Sequence, residues 1–532
     1  MKATLVLWFV VVLIDLVVAA WFWRLWWLAL AAGVLSIIGL GVVLVRRRRR
    51  REIRTESGWS LGAALEISNP DVPAFVPEAV IPSPVLKLGM LALGAPGAGK
   101  TESVLLGYLQ ALPEHSPGSG CAVFEGKGDI DIYKKCVAMG SVPDYFFSTE
   151  LAGSHTINLM EGESHEVVDR MTRLLIGHTD STSYYSDAQR AVLSCVIPLL
   201  SGLNVPINLR DLYTALAIPD AGLELLVRAR DAGVDPTMVL LAEQWYGQKP
   251  ATRLGEIRGL LNKLFIFCHG PHADRLNAYQ PDIRVNDVVA NNRFVYFHLP
   301  LSAFTRDVAI AIVEMFGVEA RRRQLAGPEQ YTMFPLLMDD WGGFFYEGFG
   351  PFSARCRSAG MPLSFSFQSL AQVKAISQTF ADELDDNLAT KIILRVQGED
   401  TGQFALRLLG EYDALEVSTS LLGDRDGTSL GTVRRARLQP RDLRELMPGE
   451  AYISTLYQAN DRMVNPLWRV RLPRLDFDHW QAVAMPIARI HEEGRGLGLW
   501  RRYMDPTTLA TLKRETAVMD NDVDVAPRVV EL

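Results

Sequence analysis

The sequence predicts an α/β fold: a parallel sheet around one phosphate-binding loop, interrupted by an all-helical insertion and preceded by a two-helix transmembrane anchor. Three observations predict it. GAPGAGKT (94–101) follows a strand-like run, VLKLGMLALG, and opens a helix-like one, TESVLLGYLQAL. Strand and helix patterns alternate on either side of residues 161–270, as a parallel sheet requires. Inside that interval HEVVDRMTRLLIG, SDAQRAVLSCVIPLL, LRDLYTALA, GLELLVRARDAG and TRLGEIRGLLNKLF all read as helices.

Taken in order, residues 1–51 come first. ATLVLWFVVVLIDLVVAA and LALAAGVLSIIGLGVVLV each have about the 20 apolar residues that span a bilayer. Trp21, Trp23, Trp26 and Trp27 between them suit an interfacial belt. The basic run Arg46 to Arg51 places residue 46 onward, and the N-terminus too, in the cytoplasm. A cleaved signal peptide is the alternative for the first run, though the second would remain an anchor. Residues 52–84, rich in Pro, Ser and Gly, read as a linker with short strands. Residues 85–160 and 271–475 read as one nucleotide-binding domain, split by the helical domain 161–270. Near its end ALEVSTSLLGDRDGTSLGTVRRARL reads as a hairpin with an Asp-Gly turn. Residues 476–514 read as a helical extension and the acidic 515–532 as a disordered tail.

The 532 residues are enough for two to four units, and 48% hydrophobic content supplies large cores. The five cysteines are scattered without a C-x-x-C pair, which excludes a zinc site or disulfide framework as the organising feature. Beyond residue 54 acidic residues outnumber basic ones. The soluble part is therefore not a generally basic protein, and any nucleic-acid contact has to be local.

GAPGAGKT fits G-x-x-x-x-G-K-[ST] in the strand–loop–helix context that gives the pattern meaning. Gly94, Gly97 and Gly99, with Ala95, Pro96 and Ala98 between them, let backbone N–H groups face phosphate oxygens. Lys100 reaches the terminal phosphates, and the Thr101 hydroxyl ligates Mg²⁺. Such a site needs a carboxylate at the end of a neighbouring strand. LLMDD (336–340) is the best candidate: Asp339 for the metal and Asp340 to activate water, against the simpler reading of an Asx turn before Gly-Gly. Gln368 ends the next strand-like run, PLSFSFQ, and reads equally as a phosphate sensor or a helix-start polar residue. Arg355 and Arg357 precede that strand, as fingers reaching a neighbouring subunit or as surface charges. Arg321 to Arg323 end a helix and read as a channel lining or, more simply, a solvated helix end.

Together these residues resemble the TraG/TraD family of type IV secretion coupling proteins. FEGKGDI (124–130), INLM (157–160), GLLNKLFIF, LLMDDWGGF, ARCRSAGMPLSFSFQSLAQV (354–373) and DDNLATKIILRVQGEDTGQFALRLLG (385–410) follow the family's order of segments. The resemblance covers residues 1 to about 475. It implies a RecA-like P-loop ATPase with an all-α insertion, using ATP and Mg²⁺. It implies embedding in the bacterial inner membrane and a homo-hexameric ring. The implied partners are single-stranded DNA or a relaxase–DNA complex and type IV secretion channel components. Lys100 and Thr101 then bind nucleotide and metal, Asp339 and Asp340 form the Walker B pair, Gln368 senses, and Arg355 or Arg357 acts in trans. Export of protein effectors only, or a weakly hydrolysing docking platform, are the alternatives. Asp340 stands where the family has Glu, Glu125 where it has Asp, and Trp341-Gly342 where it has Phe-Pro. LNKLF (261–265) lacks the Asp of a guanine-reading Asn-Lys-x-Asp.

Overall fold

The computed structural model describes residues 58–67, 78–177, 184–270, 272–376, 380–422, 425–459, 462–475, 477 and 496–504. Its strands are β1 (Gly58–Ile67), β2 (Glu78–Pro82), β3 (Met90–Leu93), β4 (Cys121–Glu125), β5 (Tyr145–Ser148), β6 (Phe294–His298), β7 (Leu336–Asp339), β8 (Leu363–Phe367), β9 (Thr390–Ile393), β10 (Glu411–Leu422), β11 (Arg425–Ala436), β12 (Glu450–Ser454), β13 (Tyr457–Ala459), β14 (Arg462–Val464) and β15 (Leu467–Arg471). One 11-stranded sheet has the order β2-β1-β15-β12-β9-β3-β8-β7-β4-β6-β5. From β9 to β5 all neighbours are parallel. β12 then pairs antiparallel with β9, β15 with β12 and β1 with β15. The short strands expected before residue 84 thus extend the main sheet at its edge.

The parallel strands are buried from end to end, which is why CAVFE, LLMD and LSFSF read as continuous rather than alternating runs. Successive side chains still face opposite ways. Leu91 and Leu93 of β3 join Ala122 and Phe124 in a core shared with the helical insertion. Met90 and Ala92 join Cys121, Val123 and Leu109 in the core on the other face. All five cysteines are buried and free.

Between β5 and β6 run the helices Ser164–Leu175, Tyr184–Gly202, Leu209–Ala217, Pro219–Asp231, Pro236–Tyr246 and Pro250–Cys268. Their starts follow local rules. Asp235 caps by accepting the Thr237 N–H, and Asn208 accepts from Asp211 while the Asp211 carboxylate accepts the Asn208 N–H. The C-terminal helix Leu499–Met504 straps this insertion. The Leu497 N–H donates to Pro206 O, the Leu499 N–H to Asp211 Oδ1, and Arg502 pairs with Glu224.

Two expectations are corrected. The first is the membrane-embedded localisation with two transmembrane helices: no helix among the described residues is long and apolar enough to cross a membrane. The longest of these, Ala303–Ala326, carries Arg306, Asp307, Glu314, Glu319 and Arg321 to Arg323. The two apolar runs themselves, in 1–51, lie outside the described residues, as does the tail 515–532. The second concerns the hairpin. β10 and β11 pair as far as Leu422 opposite Arg425. Asp426 and Gly427 lie inside β11, opposite Leu421 and Ser420, and make no turn. A Gly-Asp dipeptide stands three residues before the Asp-Gly one, and the sequence alone does not rank the two.

Candidate active site

β8 lies between β3 and β7, so the loops leaving all three strands meet at one edge of the sheet. After β3 the Gly94 N–H donates to Phe367 O of β8 and the Ala95 N–H to Arg395 O beyond β9. A Cβ at Gly94 would stand 2.9 Å from Leu394 Cβ, so the loop requires glycine there to leave the sheet. Gly99 sits at φ 105°, a left-handed conformation that frees the chain to enter the next helix. That helix opens as a π turn, Lys100–Leu105, before the α-helix Leu106–His115; such widened turns recur at functional sites.

The Lys100 ammonium is buried and donates to Gly94 O at 2.7 Å and Ala95 O at 3.1 Å, the loop's own carbonyls. Burial holds it below its ordinary pKa. Asp340 and Asp339 oppose that shift and Lys127 adds to it. Thr101 Oγ1 donates to Asp339 Oδ2 at 2.7 Å, and Ser366 Oγ donates to Asp339 Oδ1 at 2.8 Å. Asp339 is 1% exposed; burial raises its carboxyl above the ordinary range, while the two hydroxyl donors pull it back.

Asp340 adopts φ 49°, ψ 44°, which turns its carboxylate away from the strand direction. Its N–H donates to Ser366 Oγ, and the Gln368 amide donates to both of its carboxylate oxygens at 2.8 Å. Gln368 is held in turn: Gln372 Oε1 accepts the Gln368 and Ser369 N–H groups. Beneath the pair, Trp341 is fully buried and stacks on Phe344 at 4.6 Å. A Cβ at Gly342 would lie 2.2–2.4 Å from the Gln372 amide, so glycine at this position makes room for the residue that fixes Gln368.

The structure therefore brings Lys100, Thr101, Asp339, Asp340 and Gln368 together. Ser366 and Gln372 complete the hydrogen-bonded set; sequence reasoning passed over Ser366 and gave Gln372, the second Gln of QSLAQ, no role of its own. A serine inside an apolar buried strand is a signal, since buried hydroxyls need partners; yet Ser364 of the same strand has none in this structure.

Arg355 and Arg357 are not brought to this site. They end the helix Phe349–Ser358, at the opposite edge of the sheet, where the Phe334 N–H donates to Gly360 O ahead of β7 and β8. β8, a five-residue strand roughly 16 Å long, runs from that end to Gln368. Arg323 is buried, donating to Thr332 O and Val289 O, and Arg322 pairs with Glu166 and Glu319. Those contacts of Arg322 and Arg323 hold helices together, while Arg321 is exposed at the helix end.

The family described as the TraM recognition site of TraD and TraG matches residues 347–449, from the helix of Arg355 to the start of β12. The chain is 22% identical over 465 residues to the type 4 coupling protein DotL of Legionella pneumophila, covering 71% of this chain and 57% of that protein. By these findings the chain is similar to type IV coupling proteins. It spans little more than half the length of that curated relative. The plasmid coupling protein TrwB, solved with the non-hydrolysable GTP analogue GDPNP, superposes with a TM-score of 0.55 at 16% identity, over 82% of this chain and 94% of that one. TrwB with ADP and Mg²⁺ gives 0.52 at 16% identity, over 76% and 88%. At such identity the likeness is one of fold: a P-loop sheet with a helical domain. Against the coupling-protein pattern, the Asp340 replacement is accompanied by a bidentate partner, Gln368.

Proposed function

We propose that this coupling protein is a P-loop ATPase that binds Mg·ATP at residues 94–101 and couples hydrolysis to moving DNA, a relaxase-bound single strand, into a type IV secretion channel. What supports the reading is one continuous set of hydrogen bonds, Thr101–Asp339–Ser366–Asp340–Gln368, across three adjacent strand ends. A hydroxyl beside a buried carboxylate is an all-oxygen donor pair, which suits a hard cation. Lys100, held only by loop carbonyls, can exchange them for phosphate oxygens. Magnesium held by Thr101 and Asp339 supplies neutralisation of charge on the phosphates. Asp340 accepts a proton from the attacking water, and Gln368 fixes the direction of its carboxylate. Arg355 or Arg357, remote from their own chain's site, serve a neighbouring subunit's nucleotide in a homo-hexameric ring.

A second reading has a specific observation behind it. Both Asp340 oxygens are engaged by Gln368, and an aspartate reaches about one methylene less than glutamate, so small misplacement could cost about 10²-fold in rate. The chain would then be a docking platform assembled by nucleotide, for protein or DNA cargo. Hydrolysis by the purified chain, with and without single-stranded DNA and beside Lys100→Ala, separates the two. DNA-stimulated hydrolysis abolished by Lys100→Ala is expected of the motor. A rate no higher than the Lys100→Ala background would sink the motor and leave the platform.

A further inference from the structure

β4 ends at Glu125, in register with Asp339 of the adjacent β7. The next residue, Gly126, donates its N–H to Asp339 O at 3.1 Å. A Cβ on Gly126 would meet the Phe344 ring at 2.6 Å and the Asp340 and Asp339 carbonyl oxygens at 3.1 and 3.2 Å. The turn 126–129 therefore lies directly against the Asp339–Asp340 turn. Glu125 itself does not reach outward. It is fully buried, and its carboxylate accepts the N–H groups of Lys127 (2.7 Å), Gly128 (2.8 and 2.9 Å) and Asp129 (3.1 Å). Gly128, at φ +85°, closes the turn against Pro300.

The backbone of Lys127 is thus fixed by three consecutive N–H bonds while its side chain is left 64% exposed. Its ion pair is a loose one, 3.7 Å to Asp129. A clamped backbone with a loosely paired ammonium beside a P-loop is an arrangement for meeting an anion. Lysine meets phosphate as a compact, mobile point charge.

We propose that Lys127 is a second cationic contact for the terminal phosphate of the bound nucleotide, and that Glu125 is the positioning residue that holds it there. The inference rests on the nucleotide reading of this site. It makes the site selective for a triphosphate over a diphosphate: Lys100 belongs to the loop that holds both, and Lys127 answers only to the last phosphate.

The test is equilibrium binding of fluorescent ADP and a fluorescent non-hydrolysable ATP analogue, with Mg²⁺, to the purified full chain. A charge-assisted contact corresponds to at least about tenfold in affinity. Lys127→Ala is expected to weaken the triphosphate about tenfold and ADP less than twofold, with Lys127→Arg recovering most of the loss. Glu125→Gln, which places an amide donor against N–H groups, is expected to shift the ratio in the same direction. An unchanged triphosphate-to-diphosphate ratio in Lys127→Ala overturns the inference while leaving the nucleotide site intact. Wild-type chain that binds neither nucleotide, indistinguishable from Lys100→Ala, overturns both.

Discussion

At the scale of single residues, Asp340 and Gln368 behave as one unit. Each is held by a third group, Ser366 for the Asp340 backbone and Gln372 for the Gln368 backbone. Asp340→Asn and Gln368→Ala are each expected to lower kcat about 10²-fold with KM changed less than about threefold, and the double variant to be no worse than the poorer single one. Steady-state kinetics on the four proteins measures this; additive losses would mean that the two residues act independently. Ser366→Ala leaves a buried Asp339 oxygen and the Asp340 N–H without partners. It should cost about 1–3 kcal/mol of stability, read by thermal unfolding. The carboxylate pair was legible in LLMDD because an apolar run ending in two acids is chemically odd. Ser366 was not, because nothing local distinguishes it from Ser364 two residues before it.

At the scale of elements, the helical insertion was legible from its period, but its packing was not. Gly222, in Pro219–Asp231, lies against the Tyr246 ring so closely that a Cβ would stand 2.0 Å from it. Gly222→Ala should therefore lower the melting temperature, by overpacking worth about 1–3 kcal/mol. Gly255, exposed in Pro250–Cys268 with nothing near its Cβ position, should give the opposite: Gly255→Ala is expected to stabilise by about 0.5–1 kcal/mol. The sequence treats these glycines alike; only the neighbouring helix tells them apart.

The strap formed by Leu497–Met504 has its own signature. It closes over Asp211, which is fully buried, with burial pushing its carboxyl up to about 6. The N–H groups of Leu499 and Asn208 and the Tyr279 hydroxyl face it and pull the other way. A carboxyl raised in the folded state contributes stability that is complete below its unfolded pKa of about 4 and is lost as pH rises through about 6. The difference amounts to roughly 3 kcal/mol. Melting curves between pH 4.5 and 7.5 should show this component in the wild type and lack it in Asp211→Asn. Of the helical extension expected over 476–514, the described residues include the helix Leu499–Met504, whose docking on residues distant in sequence was not readable.

At the scale of the molecule, the two ends of the strands divide the labour. The hydrogen-bonded set Thr101–Asp339–Ser366–Asp340–Gln368 collects where β3, β7 and β8 finish, whereas Arg355 and Arg357 stand where β7 and β8 begin. An arginine finger at that edge acts only between copies. Mixing Arg355→Ala chains with Lys100→Ala chains should then restore part of the hydrolysis that each lacks alone, since one supplies an intact loop and the other an intact arginine. Lack of any recovery, with each variant still assembling, would assign Arg355 to the packing of its own helix. The fold class was legible from alternation and one loop motif. The edge strands β1 and β2 were not placed, because strands held only at the sheet's edge, β1 against β15 and β2 against β1, carry no strong pattern of their own.

The strand order also sets a timetable. β3 pairs with β8 and β9, which come about 270 and 297 residues later in the chain. A ribosome adding roughly 5–20 residues per second emits β3 and the loop after it roughly 13–54 s before its first sheet neighbour exists. During that wait the helical insertion, whose contacts are local, can already collapse, while β3 has no partner on either side. A message broken between residues 101 and 363 yields a chain that carries GAPGAGKT without the strand that supplies Ser366.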